Sequence, residues 1–196
     1  MTAAIPTLSV LTTARLTLDA LTPADAAALF TMQSDPEVTR YLSMEPMHDV
    51  SEAVTLIAAL ARRAEAGEEL RWAIRRTVDV AAGGAGSGRM IGVISLSEPH
   101  NPRRRAEVGY GLARDVWRQG YAREAMGAVL DYAFGPLQLN RVEALVYAEN
   151  EPSRALLRTL GFVEEAYLRE HAWEKGRYWD DVILALLASD HMASRH

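Results

Sequence analysis

The chain contains no cysteine among its 196 residues. That excludes disulfides, thiolate nucleophiles and thiolate metal sites together. No apolar run approaches the roughly 20 residues needed to span a bilayer. No N-terminal stretch combines a charged start, an apolar run and a cleavage site, so the expectation is a cytoplasmic protein without a membrane partner. The charged fraction is ordinary, with acids in mild excess over bases. A net charge of -5 argues against a general nucleic-acid binder. Arginine greatly outnumbers lysine. The five histidines are scattered, with no i, i+4 pair and no metal-ligand spacing. There is no G-x-S-x-G elbow, and scattered residues do not make a serine triad.

What is present is enough for one domain with a sizeable core. The most informative stretch is 116–135. Ala122, Ala125, Met126, Val129, Leu130, Ala133 and Phe134 recur at helical spacing, the apolar stripe of a packed helix. Gly135 and Pro136 stop it. Arg118, Gln119, Gly120, Tyr121 and Ala122 form a small-residue turn that feeds this helix. The first N–H groups of a helix lack intrahelical partners and lie at the positive end of its dipole. The turn is therefore a candidate anion site, flanked by Arg118 and Arg123.

The other elements follow in order. Residues 15–21 alternate as a strand, and 1–12 carry no clear period. Thr22-Pro23-Ala24-Asp25 starts a helix, and Asp35-Pro36 starts a short second one. Asp49 or Ser51 caps a third, with Val54, Ile57, Ala58 and Ala61 expected to face the core. Leu70, Trp72 and Ile74 mark a strand. The glycine-rich run 79–88 lacks the closing lysine and Ser/Thr of a P-loop and reads as a hairpin loop. Residues 90–97 are apolar on both faces, as in a central strand. In 105–112 the faces separate: Ala106, Val108, Tyr110 and Leu112 on one, Glu107, Gly109 and Gly111 on the other. Residues 141–148 form a further strand. Asn150-Glu151-Pro152-Ser153 opens a short helix closed by Gly161-Phe162. Two last strands, 163–172 and 181–187, join near Lys175-Gly176-Arg177. The mixture of hairpins and helical connections implies an α+β, three-layer, mixed-sheet domain over 1–196. Its core spans about 13–187, with a loose tail at 188–196.

Three groups invite a chemical reading. Glu107 shares its strand face with two glycines, which would let a backbone-like ligand approach closely beside a proton acceptor. A solvent-facing glutamate is the alternative. Asn150 and Ser153 stand at a helix mouth, where capping competes with ligand contact. Tyr110 and Tyr121 have hydroxyls to donate, or fill the core.

Together these segments resemble the GNAT acetyltransferase superfamily, over about 13–187. Its coenzyme A signature is Gln or Arg, two residues, glycine, one residue, then glycine or alanine. Trp117, Gly120 and Ala122 occupy the three places here. Tryptophan departs from the strict pattern but is similar to the W-x-x-G-Y-A of the ribosomal-protein N-terminal acetyltransferases (RimJ/RimL type). Residues 13–18, Asp35-Pro36-Glu37-Val38, Ala106-Glu107-Val108-Gly109-Tyr110 and Asn150-Glu151-Pro152-Ser153 with Gly161-Phe162 resemble further marks of that subgroup.

The resemblance implies a GNAT-like α/β/α fold with a mostly antiparallel central sheet. It implies acetyl-CoA as cosubstrate, no metal, and an amine acceptor, either a peptide N-terminus or a small molecule. Coenzyme A pyrophosphate would rest on the amides of Arg118, Gln119, Gly120, Tyr121, Ala122 and Arg123. The pantetheine arm would pair along Val108, Gly109 and Tyr110. Glu107 would be the base. Asn150 and Ser153 would touch the coenzyme, with Ser153 the acid for the departing thiolate. Tyr41, His48, His171, Trp173 and Trp179 are acceptor-side candidates. The chain is expected as a monomer or homodimer. A non-catalytic acyl-CoA-binding regulator on the same fold is the competing reading.

Overall fold

The computed structural model describes residues 8–77, 88–99 and 102–193. Within them lie β1 (Leu11–Thr12), β2 (Leu16–Ala20), α1 (Ala26–Gln33), α2 (Pro36–Thr39), α3 (Val50–Glu65), β3 (Glu69–Arg76), β4 (Met90–Ser97) and β5 (Arg105–Leu112). Then follow α4 (Tyr121–Phe134), β6 (Arg141–Tyr147), α5 (Glu151–Thr159), β7 (Val163–Glu174), β8 (Arg177–Leu187) and α6 (Ala188–Ala193). Short 3₁₀ turns at Pro23–Asp25 and Arg114–Val116 precede α1 and α4.

The strands form one eight-stranded sheet in the order β1-β2-β3-β4-β5-β6-β8-β7. Every neighbouring pair is antiparallel except β5 and β6. The α+β, mostly antiparallel architecture matches the expectation. One face packs α4 and α5, with Met126, Leu130 and Leu157 against Leu18, Trp72, Val108 and Leu184. The other packs α1–α3, with Leu29, Met32 and Ile57 against Ala73, Met90 and Val93.

Three expectations need correction. The buried stripe of α3 is Ala53, Ile57 and Leu60, while Val54, Ala58 and Ala61 are exposed. With Asp49 as the cap, the helix is rotated so that the stripe starts one residue earlier than the valine suggested. Residues 188–193 are helical rather than loose: His191 Nε2 lies 2.8 Å from Asp131 Oδ1, and its ring tilts against Phe134. Residues 11–12, read as shapeless, pair with Thr17 and Leu18. The glycine-rich loop falls almost entirely outside the described residues. The last two strands are longer than expected and meet at Lys175 (φ 53°) and Gly176 (φ 72°), a two-residue turn whose left-handed backbone suits a twisted hairpin.

A buried ion cluster pins the α1 side. Arg75, fully buried, sends Nε to Asp19 at 2.8 Å and two nitrogens to Asp25 at 2.7 and 2.9 Å. Its Nη1 also reaches the Gly88 carbonyl at 3.0 Å. Burial alone would push the Asp25 carboxyl up, but Arg75 and the Thr22 amide outweigh it and hold it below the usual range. Removing one member of such a cluster strands the others as uncompensated charge. Arg75→Ala should therefore lower unfolding stability by about 3–5 kcal/mol in urea titrations. A loss below ~1 kcal/mol would show that the cluster is dispensable.

Candidate active site

β5 and β6 run together over only three residue pairs: Arg105↔Arg141, Ala106↔Val142 and Glu107↔Glu143. β5 keeps its antiparallel partner β4 from Glu107 to Leu112, and β6 keeps β8 along its full length. Beyond Glu107 no ladder pair joins β5 to β6 among the described residues. The backbone of 108–112 thus borders a gap in the middle of the sheet. A backbone edge without a partner is a template for an extended, amide-bearing ligand.

The glycines open one face of this gap. A Cβ built on Gly111 would meet nothing within 4 Å, and one on Gly109 only Ser95 Oγ at 3.5 Å. Gly92, on the neighbouring strand, differs: its Cβ would lie 2.7 Å from the Gly111 carbonyl. Gly92 is required by packing, whereas Gly111 leaves room that the protein does not fill. On the β6 side, Leu145 is 43% exposed although it sits mid-strand in the sheet. Val108, by contrast, points into the core beside α4.

Beyond Leu112 the chain turns sharply into α4. Arg118 (φ 60°) and Gly120 (φ 81°) are both left-handed, and Gly120 is the N-cap with no side-chain cap. The first helical bond is from Glu124 N–H to the Gly120 carbonyl at 3.1 Å. The amides of Tyr121, Ala122 and Arg123 precede it and are left for a ligand or water. Residues 118–120 and Arg123 are exposed, and Tyr121 and Ala122 half-buried. Neither the Arg118 nor the Arg123 guanidinium has an ion-pair partner among the described residues. This is a concave array of donors with two cations beside it, fit for a diphosphate.

The turn is held from three sides, none of them evident beforehand. Trp117 donates its indole N–H to the Leu112 carbonyl at 2.8 Å, tying the turn to the end of β5. That bond gives the unusual aromatic a role in the loop itself. The Gln119 side chain bonds the Asp115 carbonyl at 3.1 Å, so it shapes the loop through its amide. Arg15 donates to the Gln119 carbonyl at 3.0 Å and pairs with Glu124 at 2.6 Å, while its guanidinium lies 4.7 Å over Tyr121. Thr13 Oγ1 joins the same Glu124 at 2.6 Å. Glu124 stays ionised here: burial pushes its carboxyl up, and the Thr13 and Arg15 hydrogen bonds pull it lower still.

On the α5 side, Tyr110 Oη and Ser153 Oγ are 2.8 Å apart. This bond crosses from β5 to the helix that follows β6. Burial keeps the Tyr110 phenol protonated, raised above its ordinary value despite the Ser153 bond. The pair links residues 43 positions apart, which is why neither hydroxyl alone announced it. Asn150 is the N-cap, its Oδ1 accepting from the Ser153 amide at 3.2 Å. The capping alternative holds for its oxygen, leaving only the side-chain NH₂ for another contact.

Glu107 lies at the last shared pair of β5 and β6, on the face of Gly109 and Gly111. Its side chain retains solvent access. Its carboxyl is nonetheless raised, first by partial desolvation, then by the negative charges of Glu143 and Glu98, with Arg105 opposing. A raised carboxyl is a better proton acceptor than an ordinary surface glutamate. The acceptor-side candidates fall partly together. Trp179 stacks on Tyr147 at 4.5 Å and meets Tyr41 edge-on at 6.5 Å, while Lys175 reaches the Thr39 carbonyl at the end of α2. Trp173 pairs with Tyr178 on the exposed hairpin instead, and His48 lends its backbone N–H to Glu52 at the start of α3.

A family profile described as Acetyltransferase (GNAT) domain matches residues 15–163. The chain belongs to the GNAT acetyltransferase family. The Uncharacterized N-acetyltransferase YoaA of Bacillus subtilis is 33% identical over 178 residues, covering 91% of this chain and 96% of that protein. Among solved structures, spermidine N-acetyltransferase from Vibrio cholerae in complex with CoA and spermine superposes with a TM-score of 0.77 at 26% identity, over 92% of this chain and 99% of that one. Mycobacterium smegmatis RimJ in complex with CoA-disulfide gives 0.76 at 26% identity, over 92% and 88%. The enzyme is an N-acetyltransferase with acetyl-CoA as its cosubstrate. No cluster of metal-ligating side chains occurs among the described residues.

The two glycines give a paired prediction. Gly111→Val should leave Tm unchanged yet weaken acetyl-CoA binding at least tenfold by calorimetry. Gly92→Val should lower Tm, because its side chain meets backbone. Equal effects from both would remove the case for an open slot at Gly111.

Proposed function

We propose that the enzyme acetylates a primary amine by direct attack on the thioester within a ternary complex. One observation carries the reading. The β5–β6 ladder ends at Glu107, with a proton acceptor on one face of the gap, a hydroxyl pair on the other and an uncapped amide turn at its open end. In this arrangement the donor's diphosphate lies on the amides of 118–123 between Arg118 and Arg123. Its pantetheine arm pairs with the free edge of Val108, Gly109 and Tyr110. A β5 N–H there polarises the thioester carbonyl. The acceptor enters on the glycine face and gives its proton to Glu107. Ser153, hydrogen-bonded to Tyr110, protonates the departing thiolate, and the Asn150 amide contacts the coenzyme. A binding-only regulator would have no need of an acid and a base on opposite sides of one slot.

The acceptor we favour is a peptide α-amine, as in RimJ/RimL-type enzymes, or a small polyamine. The structural similarity to a RimJ and to a spermidine acetyltransferase supports both. An α-amine has a pKa of about 7.7–8.0 against about 10.4 for lysine, a difference of roughly 3.4 kcal/mol in deprotonation. A weak base such as Glu107 therefore favours the α-amine. Thiol release from acetyl-CoA against unblocked peptides, polyamines and aminoglycosides distinguishes these classes.

Glu107→Gln tests the base. Turnover should fall at neutral pH and recover in part at higher pH, where the amine arrives deprotonated, while acetyl-CoA binding persists. Undiminished neutral turnover would remove Glu107 from the chemistry. Stability should move the other way. A carboxyl raised in the folded state binds a proton that the unfolded chain has already lost, so stability falls as pH rises through that window. Glu107→Gln should thus be more stable than the parent at pH 7, and the advantage should vanish at pH values below the unfolded carboxyl pKa of about 4.3.

A further inference from the structure

One buried acid lies outside the slot between β5 and β6. Asp181 on β8 is 4% exposed at its side chain, and His171 Nδ1 lies 2.8 Å from its Oδ2. The His171 side chain is itself 47% exposed. The pair exists because β7 breaks register between Leu168 and Ala172, placing His171 in the irregular segment while Leu168 stays opposite Asp181. Such a bulge re-aims a side chain that regular pairing would send elsewhere. Asp181 is also directly opposite Tyr147, the last residue of β6. Asp181 is therefore one strand from the gap and His171 two, both toward its open end, with Asp181 on the sheet face that carries Glu107, Gly109 and Gly111.

In the tautomer whose Nδ1–H donates to the Asp181 carboxylate, Nε2 is left to take a proton. Several of the surrounding charged groups are engaged with other partners. Asp180 holds the Tyr167 hydroxyl and the Glu170 amide, with Arg169 nearby. Glu174 accepts from the Tyr147 hydroxyl. Arg177 is paired with Glu149 at 2.9 Å, and Lys175 bonds the carbonyls of Thr39 and Arg40.

We infer that His171 is a second catalytic base, which strips the incoming ammonium before attack, and that Asp181 is its positioning residue. The inference rests on the ternary-complex reading above. An amine acceptor arrives as R–NH₃⁺. Its first proton passes to His171 Nε2, giving a free amine and an imidazolium compensated by Asp181. The amine lone pair then forms the C–N bond, and the C–S bond breaks. The second N–H proton leaves through Glu107, and the thiolate takes one from Ser153. The proton on Glu107 passes through solvent to restore Ser153 and His171 releases its own, so the sum is amide, free thiol and one proton. This division removes the difficulty of asking one weak carboxylate to handle both protons.

The test is a pH profile of kcat/KM by thiol release, with acetyl-CoA and either spermidine or an unblocked peptide. His171→Gln changes a half-exposed side chain and should fold. It should lower kcat/KM near pH 7 at least tenfold, change the shape of the pH profile, and leave acetyl-CoA affinity unchanged. Asp181→Asn should reproduce the loss and displace the pH profile. Parent-like rates in His171→Gln would overturn the inference while leaving acetyl transfer intact. A rise in KM alone, with the pH profile preserved, would also overturn it, since that marks acceptor contact without proton transfer. If the parent releases no thiol with any amine in the panel, the ternary-complex reading fails and the dyad's role fails with it.

Discussion

Everything at the site follows from the brevity of one parallel pairing. β5 is bound to β4 by six ladder pairs and β6 to β8 by seven, yet β5 and β6 share three. Each strand keeps its antiparallel partner and abandons its parallel one. An unpaired edge inside a sheet would normally be an unsatisfied cost. It is tolerated where a ligand or water supplies the missing partners. Here the edge has a glycine ribbon on one face and a hydroxyl pair on the other, and it runs into a turn of free amides.

That turn stays concave because several weak contacts act on it at once. Two left-handed residues, Arg118 and Gly120, strain or constrain the backbone locally. The Trp117 indole, the Gln119 amide and the Arg15 guanidinium then hold what the backbone would otherwise relax. Glu124 serves as the common anchor, gathering Thr13 and Arg15 from the N-terminal hairpin onto α4. The start of the chain thereby stiffens a loop a hundred residues away. Preorganisation of this kind lets amide dipoles act on a charged ligand without first being reoriented.

Local patterns in the sequence read well, and non-local ones did not. The α4 stripe, the doubly buried β4, the Asn150 cap and the Gly161 stop all depend on neighbours within a turn or two. The alternation of 105–112 even separated Glu107, Gly109 and Gly111 from the core face. α3 went astray because Val54 is apolar but faces solvent, a distinction that composition does not make. Arg75 follows the apolar series Leu70, Trp72 and Ile74 with nothing local to mark it, and only the fold brings Asp19 and Asp25 around it. The same applies to Tyr110 with Ser153 and to Arg15 with Glu124, whose partners are dozens of positions apart. The helix at 188–193 is held by Asp131 and Phe134, contacts that no period within the tail encodes.

The hydroxyl bridge between Tyr110 and Ser153 has a mechanical meaning. The sheet consists of two plates, β1–β5 and β6–β8, riveted at the Glu107 end and free at the other. A single neutral hydrogen bond is worth about 1 kcal/mol net, so the bridge is a soft spring across the free end. Changing the angle between the plates strains few ladder bonds, because so few join them. The width of the gap is thus an adjustable quantity, set by what is wedged into it rather than by the stiffness of the sheet.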